Sequence, residues 1–162
     1  LEIRGDKMSG TVIGFDKSRE TGQVTAVKVE TAPGRADFIP IRLLGNERMR
    51  DVWLSELRVG RAIEVMVTKI VPGGECELQL ALPDHLIDRH FRGYISGFLP
   101  GKGGYLRGGV FVEIIPGTSG LLHYTAIPSA RLDALKEGDA IKVVVSTCVR
   151  ESGKWKIALK LP

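Results

Sequence analysis

Phe111 and His123 stand where a strand pattern sends side chains to water. In GGVFVEIIPGTSGLLH, residues 108–123, Val110, Val112 and Ile114 share one face of an extended chain, and Phe111 and Glu113 share the other. Beyond the Pro116-Gly117 turn, Leu122 falls on the apolar face and Leu121 and His123 on the outer one. An outward ring is a stacking platform, and an imidazole brings a donor and an acceptor. The plainer reading is a phenylalanine packed under a neighbouring loop and an exposed strand histidine. Lys142, Lys154 and Lys156 fall at outward positions of two later strands. Lys102 and Arg107 lie in a glycine-rich loop, where they reach an anion or simply keep the loop soluble.

Other chemistry finds little support. Glu113 is expected to face water with no partner carboxylate. His85 and His90, with Asp84 and Asp88, read as a polar connector rather than a metal cluster. Cys76 and Cys148 form no CxxC and read as small strand residues of a reducing compartment, cytoplasmic or organellar. The loop around Gly101, Gly103 and Gly104 precedes no helix, so the dinucleotide fingerprint fails, and Gly101-Lys102-Gly103 lacks Walker A spacing. No Ser/His/Asp or Cys/His arrangement can be placed on facing strands. The expectation is a protein without catalytic residues, cofactor or metal. Trp53 and Trp155 sit among apolar positions and are expected in the core.

The 162 residues are 43% hydrophobic and 26% charged, enough for one ordinary domain or two small ones. No apolar run approaches the roughly 18 residues of a membrane span, and no secretory signal pattern opens the sequence. The net charge of +4 is uneven. Residues 1–82 carry 12 Lys/Arg and 12 Asp/Glu, whereas residues 83–162 carry 11 and 7. All the excess lies in the second half, which fits a polyanionic partner there or plain solubility.

LRVGRAIEVMV (57–67) and LKEGDAIKVVV (135–145) are one segment written twice, 78 residues apart. ELQLAL (77–82) and KIALKL (156–161) resemble each other at an offset of 79. The chain therefore reads as a duplication, with domains over 1–82 and 92–162 and a linker over 83–91. Strands are predicted over 11–15, 23–30, 36–44, 61–70 and 75–82, and again over 93–99, 109–115, 119–124, 139–149 and 154–161. Helices are predicted within 46–57 and 127–138. The fold class is all-β: two five-stranded OB-fold barrels, each with a short helix between strands three and four.

The second copy resembles the S-one RNA-binding domain, the OB-fold repeat of the largest small-subunit ribosomal protein. The matching residues are Gly93-x-Ile95, Gly109-Val-Phe-Val-Glu-Ile114, Pro116-Gly117, Gly120-Leu-Leu-His123, Leu135-Lys-Glu-Gly-Asp139 and Lys156-Ile-Ala-Leu159. The first copy resembles it through Gly10-x-Val12, Phe38-Ile-Pro-Ile41, Leu57-x-x-Gly60 and Leu78-x-Leu80, and lacks the strand-two and strand-three signatures. The resemblance implies single-stranded RNA on the barrel face of strands two and three. It assigns base stacking to Phe111, backbone contact to His123 and a basic strand-five contact to Lys156. A second aromatic usually precedes the strand-two glycine; here Gly108 stands there, with Tyr105 and Tyr94 as the nearest replacement rings. Arg107 and Lys154 complete the expected RNA-binding set, and Phe38 is the first copy's candidate.

The leading expectation is a tandem module for single-stranded RNA (mRNA or rRNA) from a translation or RNA-processing protein, with no membrane partner. Docking on the ribosome or on another protein of the RNA machinery, and service as the accessory region of a ribonuclease, stay open.

Overall fold

The structure is a computed structural model, and it describes residues 7–45, 47–152 and 154–162. The chain divides into two compact units, residues 1–83 and 84–162. The first contains β1 (Lys7–Lys17), β2 (Val24–Ala32), β3 (Arg35–Pro40), α1 (Glu47–Glu56), β4 (Ala62–Ile70) and β5 (Cys76–Leu80). The second contains β6 (His90–Pro100), β7 (Arg107–Ile115), β8 (Thr118–His123), α2 (Ser129–Ala134), β9 (Ala140–Glu151) and β10 (Lys154–Lys160). Asn46, expected in the first helix, lies outside the described residues. Among the described residues no helix is long and apolar enough to cross a membrane.

Each unit is a five-stranded mixed sheet that curls back on itself, in the orders β1-β2-β3-β5-β4 and β10-β8-β7-β6-β9. Period-two alternation sends Val27, Val29, Ile39, Val65, Val67 and Leu78 inward in the first, none more than 1% exposed. Val110, Val112, Leu122, Val143, Ile157 and Leu159 do the same in the second. Each sheet closes through a short parallel seam. It is one residue pair in the first unit, Phe38 with Glu77, and two in the second, Ala158 with Leu121 and Leu159 with Leu122.

The sequence repeat marks a shared bridge. Gly60 N–H donates to the Val12 carbonyl at 2.7 Å, and Gly138 N–H to the Ile95 carbonyl at 2.8 Å. Both glycines have φ near +90°, where a Cβ is strained, so the Leu-x-x-Gly motif recurs for its backbone. Gly93 recurs with Gly10 for another reason: a Cβ there would stand 2.6 Å from Val112 and 2.5 Å from Val29, respectively. α1 buries Met49 and Trp53, and α2 buries Leu132 against β7.

One expected correspondence is corrected. Ile70 pairs with Cys76 as Cys148 pairs with Ile157, and Val67 with Leu78 as Val145 with Leu159. The last strands therefore match at an offset of 81, not 79. Five residues (71–75) join the Ile70/Cys76 pair, but eight (149–156) join Cys148 to Ile157. The second unit has the longer β-ribbon. The stretch expected to connect the copies also packs on the second unit: Leu86 is buried, and Asp88 N–H donates to the Val145 carbonyl at 2.8 Å.

Candidate functional site

Strand register places equivalent residues of the two barrels at one level. In the second, Gly97, Phe111, Leu121, Ala158 and Thr147 form a row of successive cross-strand partners on the outer surface. In the first, the row is Gly14, Lys28, Phe38, Glu77 and Lys69. One level along, Gly109 and His123 correspond to Ala26 and Pro40. The two barrels share a frame and carry opposite chemistry on it.

In the second barrel Phe111 is half-buried and Lys154 and Lys156 are exposed. An open groove of about 430 Å³ runs along β10, lined among others by Leu121, His123, Thr147, Val149, Lys156 and Ala158. Phe111 borders this groove through Leu121, its cross-strand partner. Glu151 also lines it, opposite Lys154 in register. The surface offers a ring, an apolar floor, an imidazole and two ammonium groups. It can hold a planar group against Phe111 and an anion beside Lys156.

His123 ends β8 and caps the 3-10 turn Tyr124–Ala126, its Nδ1 accepting the Thr125 N–H. That turn swings Tyr124 back, its ring centroid 4.4 Å from that of His123 and 4.7 Å from that of Tyr105. Tyr105, half-exposed in the β6–β7 loop, thus extends a three-ring cluster that includes His123. Tyr124 escaped the sequence reading because alternation sends it away from His123; the strand ends one residue too early for that rule to hold.

Two other candidates occupy structural positions. Tyr94 is only 6% exposed and its hydroxyl takes a hydrogen bond from Arg92 at 3.0 Å, so it presents no open ring. The Arg107 guanidinium donates to the carbonyls of Leu132 and Leu135 at 2.7 and 2.8 Å, and lies 3.6 Å from the Phe98 ring centroid. It adds a second donor to the Leu132 carbonyl, which also accepts the Leu135 N–H at 3.3 Å, and satisfies the Leu135 carbonyl at the C-cap of α2. Lys142 pairs with Arg92, five residues along β9 from Thr147.

Two expectations are overturned. Glu113 is 4% exposed, its carboxylate accepting the Gly117 N–H across the turn at 3.2 Å, so it braces the β7–β8 hairpin. Trp155 is 44% exposed, because β9 and β10 run past the end of the barrel and the inward face there meets no core.

The first barrel's row is taken up internally. Glu77, 5% exposed, is ion-paired to Arg42 and accepts the Thr68 hydroxyl at 2.6 Å, with the Lys69 ammonium 3.8 Å away. Phe38 is half-buried beside it, and Lys28 pairs with Asp16 at 3.6 Å. Asp37, 2% exposed, holds the neighbouring edge. Burial pushes its carboxyl up, but the Cys76 N–H at 2.9 Å, the Thr31 hydroxyl at 2.7 Å and Arg35 at 3.1 Å together hold it below its ordinary value. Among the described residues no group of three or more His, Cys, Asp or Glu could hold a metal ion.

No family model matches the chain. It is 36% identical over 87 residues to the polyribonucleotide nucleotidyltransferase of Parabacteroides distasonis, covering 51% of this chain and 10% of that protein. It is 45% identical over 56 residues to the enzyme of the same name from Acinetobacter baumannii, covering 32% of this chain and 8% of that one. The chain thus spans about a tenth of the curated relatives it matches. Among solved structures, a multidomain protein with nucleic acid binding domains from Streptococcus pneumoniae aligns with the whole chain and 53% of its own, at 14% identity and a TM-score of 0.42.

Proposed function

We propose that this chain is a non-catalytic binding module for single-stranded RNA of S-one type, in which the second barrel binds and the first does not. The observation that carries the reading is the contrast at one level of the two barrels: Phe111, Leu121 and Ala158 against Lys28, Phe38 and Glu77. A flat ring beside an apolar floor suits any base, since every base has a π-face, and each stacked base contributes roughly 1–3 kcal/mol. Lys156 and Lys154 are set to meet phosphates, and the net positive charge of the second half draws a polyanion toward them. The buried Glu77 puts a carboxylate where the second barrel has a methyl group, and its partners Arg42 and Lys69 are drawn inward rather than toward a phosphate. RNA is preferred over DNA because the matching relatives are named for polyribonucleotides.

Titration of labelled single-stranded RNA into the full chain at several salt concentrations tests this. With roughly two to four phosphates neutralised, log affinity falls against log salt with a slope of about 0.7 per phosphate. A chain that binds no single strand, or binds one with no salt dependence, defeats the reading. The first barrel, neutral and internally ion-paired, is then the place to look for protein or ribosome docking.

A further inference from the structure

The shared frame carries a second contrast, beside the turn that joins β2 to β3. Register matches Thr11 to Tyr94: Thr11 pairs with Glu30 and Ala62, and Tyr94 with Glu113 and Ala140. It also matches Ser9, opposite Glu64, to Arg92, opposite Lys142. The turns correspond as well, Pro33-Gly34 to Pro116-Gly117. In the second barrel this place is filled from within. Tyr94 is buried with its hydroxyl bonded to Arg92, and Glu113 and Pro116 are buried too. In the first barrel a threonine replaces the ring and a serine replaces the guanidinium. Glu30 and Pro33 are exposed there, and an open hollow of about 280 Å³ is lined by Ser9, Thr11, Glu30, Thr31, Pro33 and Ala62 among others.

The rim of the hollow is negative. Glu30 and Glu64 are exposed, the Glu64 carboxylate accepts the Ser9 hydroxyl at 2.7 Å, and among the described residues neither glutamate is ion-paired. The cations that adjoin the lining in sequence are engaged elsewhere. Arg35 is held by Asp37 and Arg61 by Glu56, each at 3.1 Å, and the Lys7 ammonium donates to the Leu82 carbonyl at 2.6 Å. Such a rim repels phosphate and attracts a cation. Pro33 and Ala62 give the hollow apolar walls that suit a ring.

We infer that this hollow is a docking site for a partner protein, which inserts an aromatic side chain where the second barrel has Tyr94 and sets an adjoining arginine or lysine against Glu30 and Glu64. The second barrel's own Arg92 and Tyr94 define the size and charge of the occupant. The negative rim favours a basic peptide over a polynucleotide. The inference does not depend on the single-strand reading and uses none of the residues assigned there.

The isotopically labelled full chain is titrated with the capped tripeptide Arg-Gly-Tyr, the sequence of residues 92–94, while backbone amide resonances are followed. Saturable shifts are expected at Thr11, Thr31 and Ala62, with a Kd of roughly 1 mM for so small a ligand. Using Arg-Gly-Ala instead, or combining Glu30→Gln with Glu64→Gln, is expected to weaken binding roughly ten-fold. Thr11→Tyr fills the hollow and is expected to abolish the shifts. No shift at these amides up to roughly 10 mM peptide, or shifts indifferent to both the ring and the carboxylates, overturns the inference. Single-stranded RNA that moves these amides, and no longer does so in Thr11→Tyr, assigns the hollow to nucleic acid and overturns it as well. If Thr11→Tyr does not fold, the glutamine variant, altered at two exposed positions, decides.

Discussion

The Nδ1 atom of His123 accepts the backbone N–H of Thr125 at 3.4 Å and lies 2.9 Å from its hydroxyl. A ring nitrogen that accepts cannot also carry the proton, so this cap predicts the Nε2–H tautomer for the neutral imidazole, with Nε2 as the ring's donor. Nitrogen NMR of the labelled ring is expected to show Nε2–H as the neutral form, and a dominant Nδ1–H signal would contradict the cap. Replacing His123 by Asn, which offers a donor on a shorter arm, is expected to reduce RNA affinity by about 1 kcal/mol.

Phe111 points away from the Val110 and Val112 face, so its loss removes a platform without hollowing the core. Phe111→Ala is expected to weaken RNA binding by roughly 1–3 kcal/mol, with a stability loss below the ~3–5 kcal/mol of a buried Phe→Ala change. Val112, fully buried, is the control: Val112→Ala is expected to cost about 2 kcal/mol of stability and to affect binding only through that loss. A urea melt beside each titration separates the two. Unfolding by Phe111→Ala alone would mean the strand is inside out.

If the proposed function holds, the first barrel's lack of RNA binding is expected to be reversible. Lys28→Phe with Glu77→Ala copies the second barrel's residues onto the first at matched positions, and releases Arg42 and Lys69 from their carboxylate. The double variant is expected to raise RNA stoichiometry above that of the unaltered chain. A folded variant with unchanged stoichiometry shows that the row does not set the difference between the barrels.

Asp37 makes the first unit sensitive to acid. Its carboxyl titrates below its ordinary value in the folded state, so the ionised form is the stabilising one. That contribution is whole above the unfolded value of about 3.9 and is lost as pH falls through the lower folded value. Asp37→Asn is expected to cost about 1–3 kcal/mol at neutral pH, the scale of hydrogen bonds to a charged group. The cost should shrink as the pH of the melt falls below about 4. A cost that stays constant into acid rules out the carboxylate as its source.

The five strands and one helix of each barrel were legible because alternation and the Leu-x-x-Gly repeat are backbone requirements, visible in Gly60 and Gly138. Outward Phe111 and exposed Lys156 follow from the same alternation. The rule failed where its premise did. Parity sends Trp155 inward, but the barrel has ended there. Parity sends Glu113 outward, but the turn supplies a backbone donor that draws it under cover. The slip from 79 to 81 arose because two apolar residues of spacing look alike on a strand, and only pairing with Cys148 and Val145 fixes which is which. Arg107 looked like a free loop cation because its carbonyl partners lie 25 and 28 residues away.

The second barrel is fastened by its shortest ladder, two parallel residue pairs between β8 and β10, directly beneath the groove. Such a ladder is where a closed sheet opens first on the timescale of amide exchange. On the proposed function, a strand of RNA gripping His123 on one side and Lys156 on the other acts as a clasp across that opening. Occupancy should then slow exchange at Leu122 and Leu159 more than at the β6–β7 ladder, and the domain should become harder to pry apart in proportion to how much of it is bound. On that reading, the joint with the fewest pairs in the second barrel is also the one a bound strand tightens most.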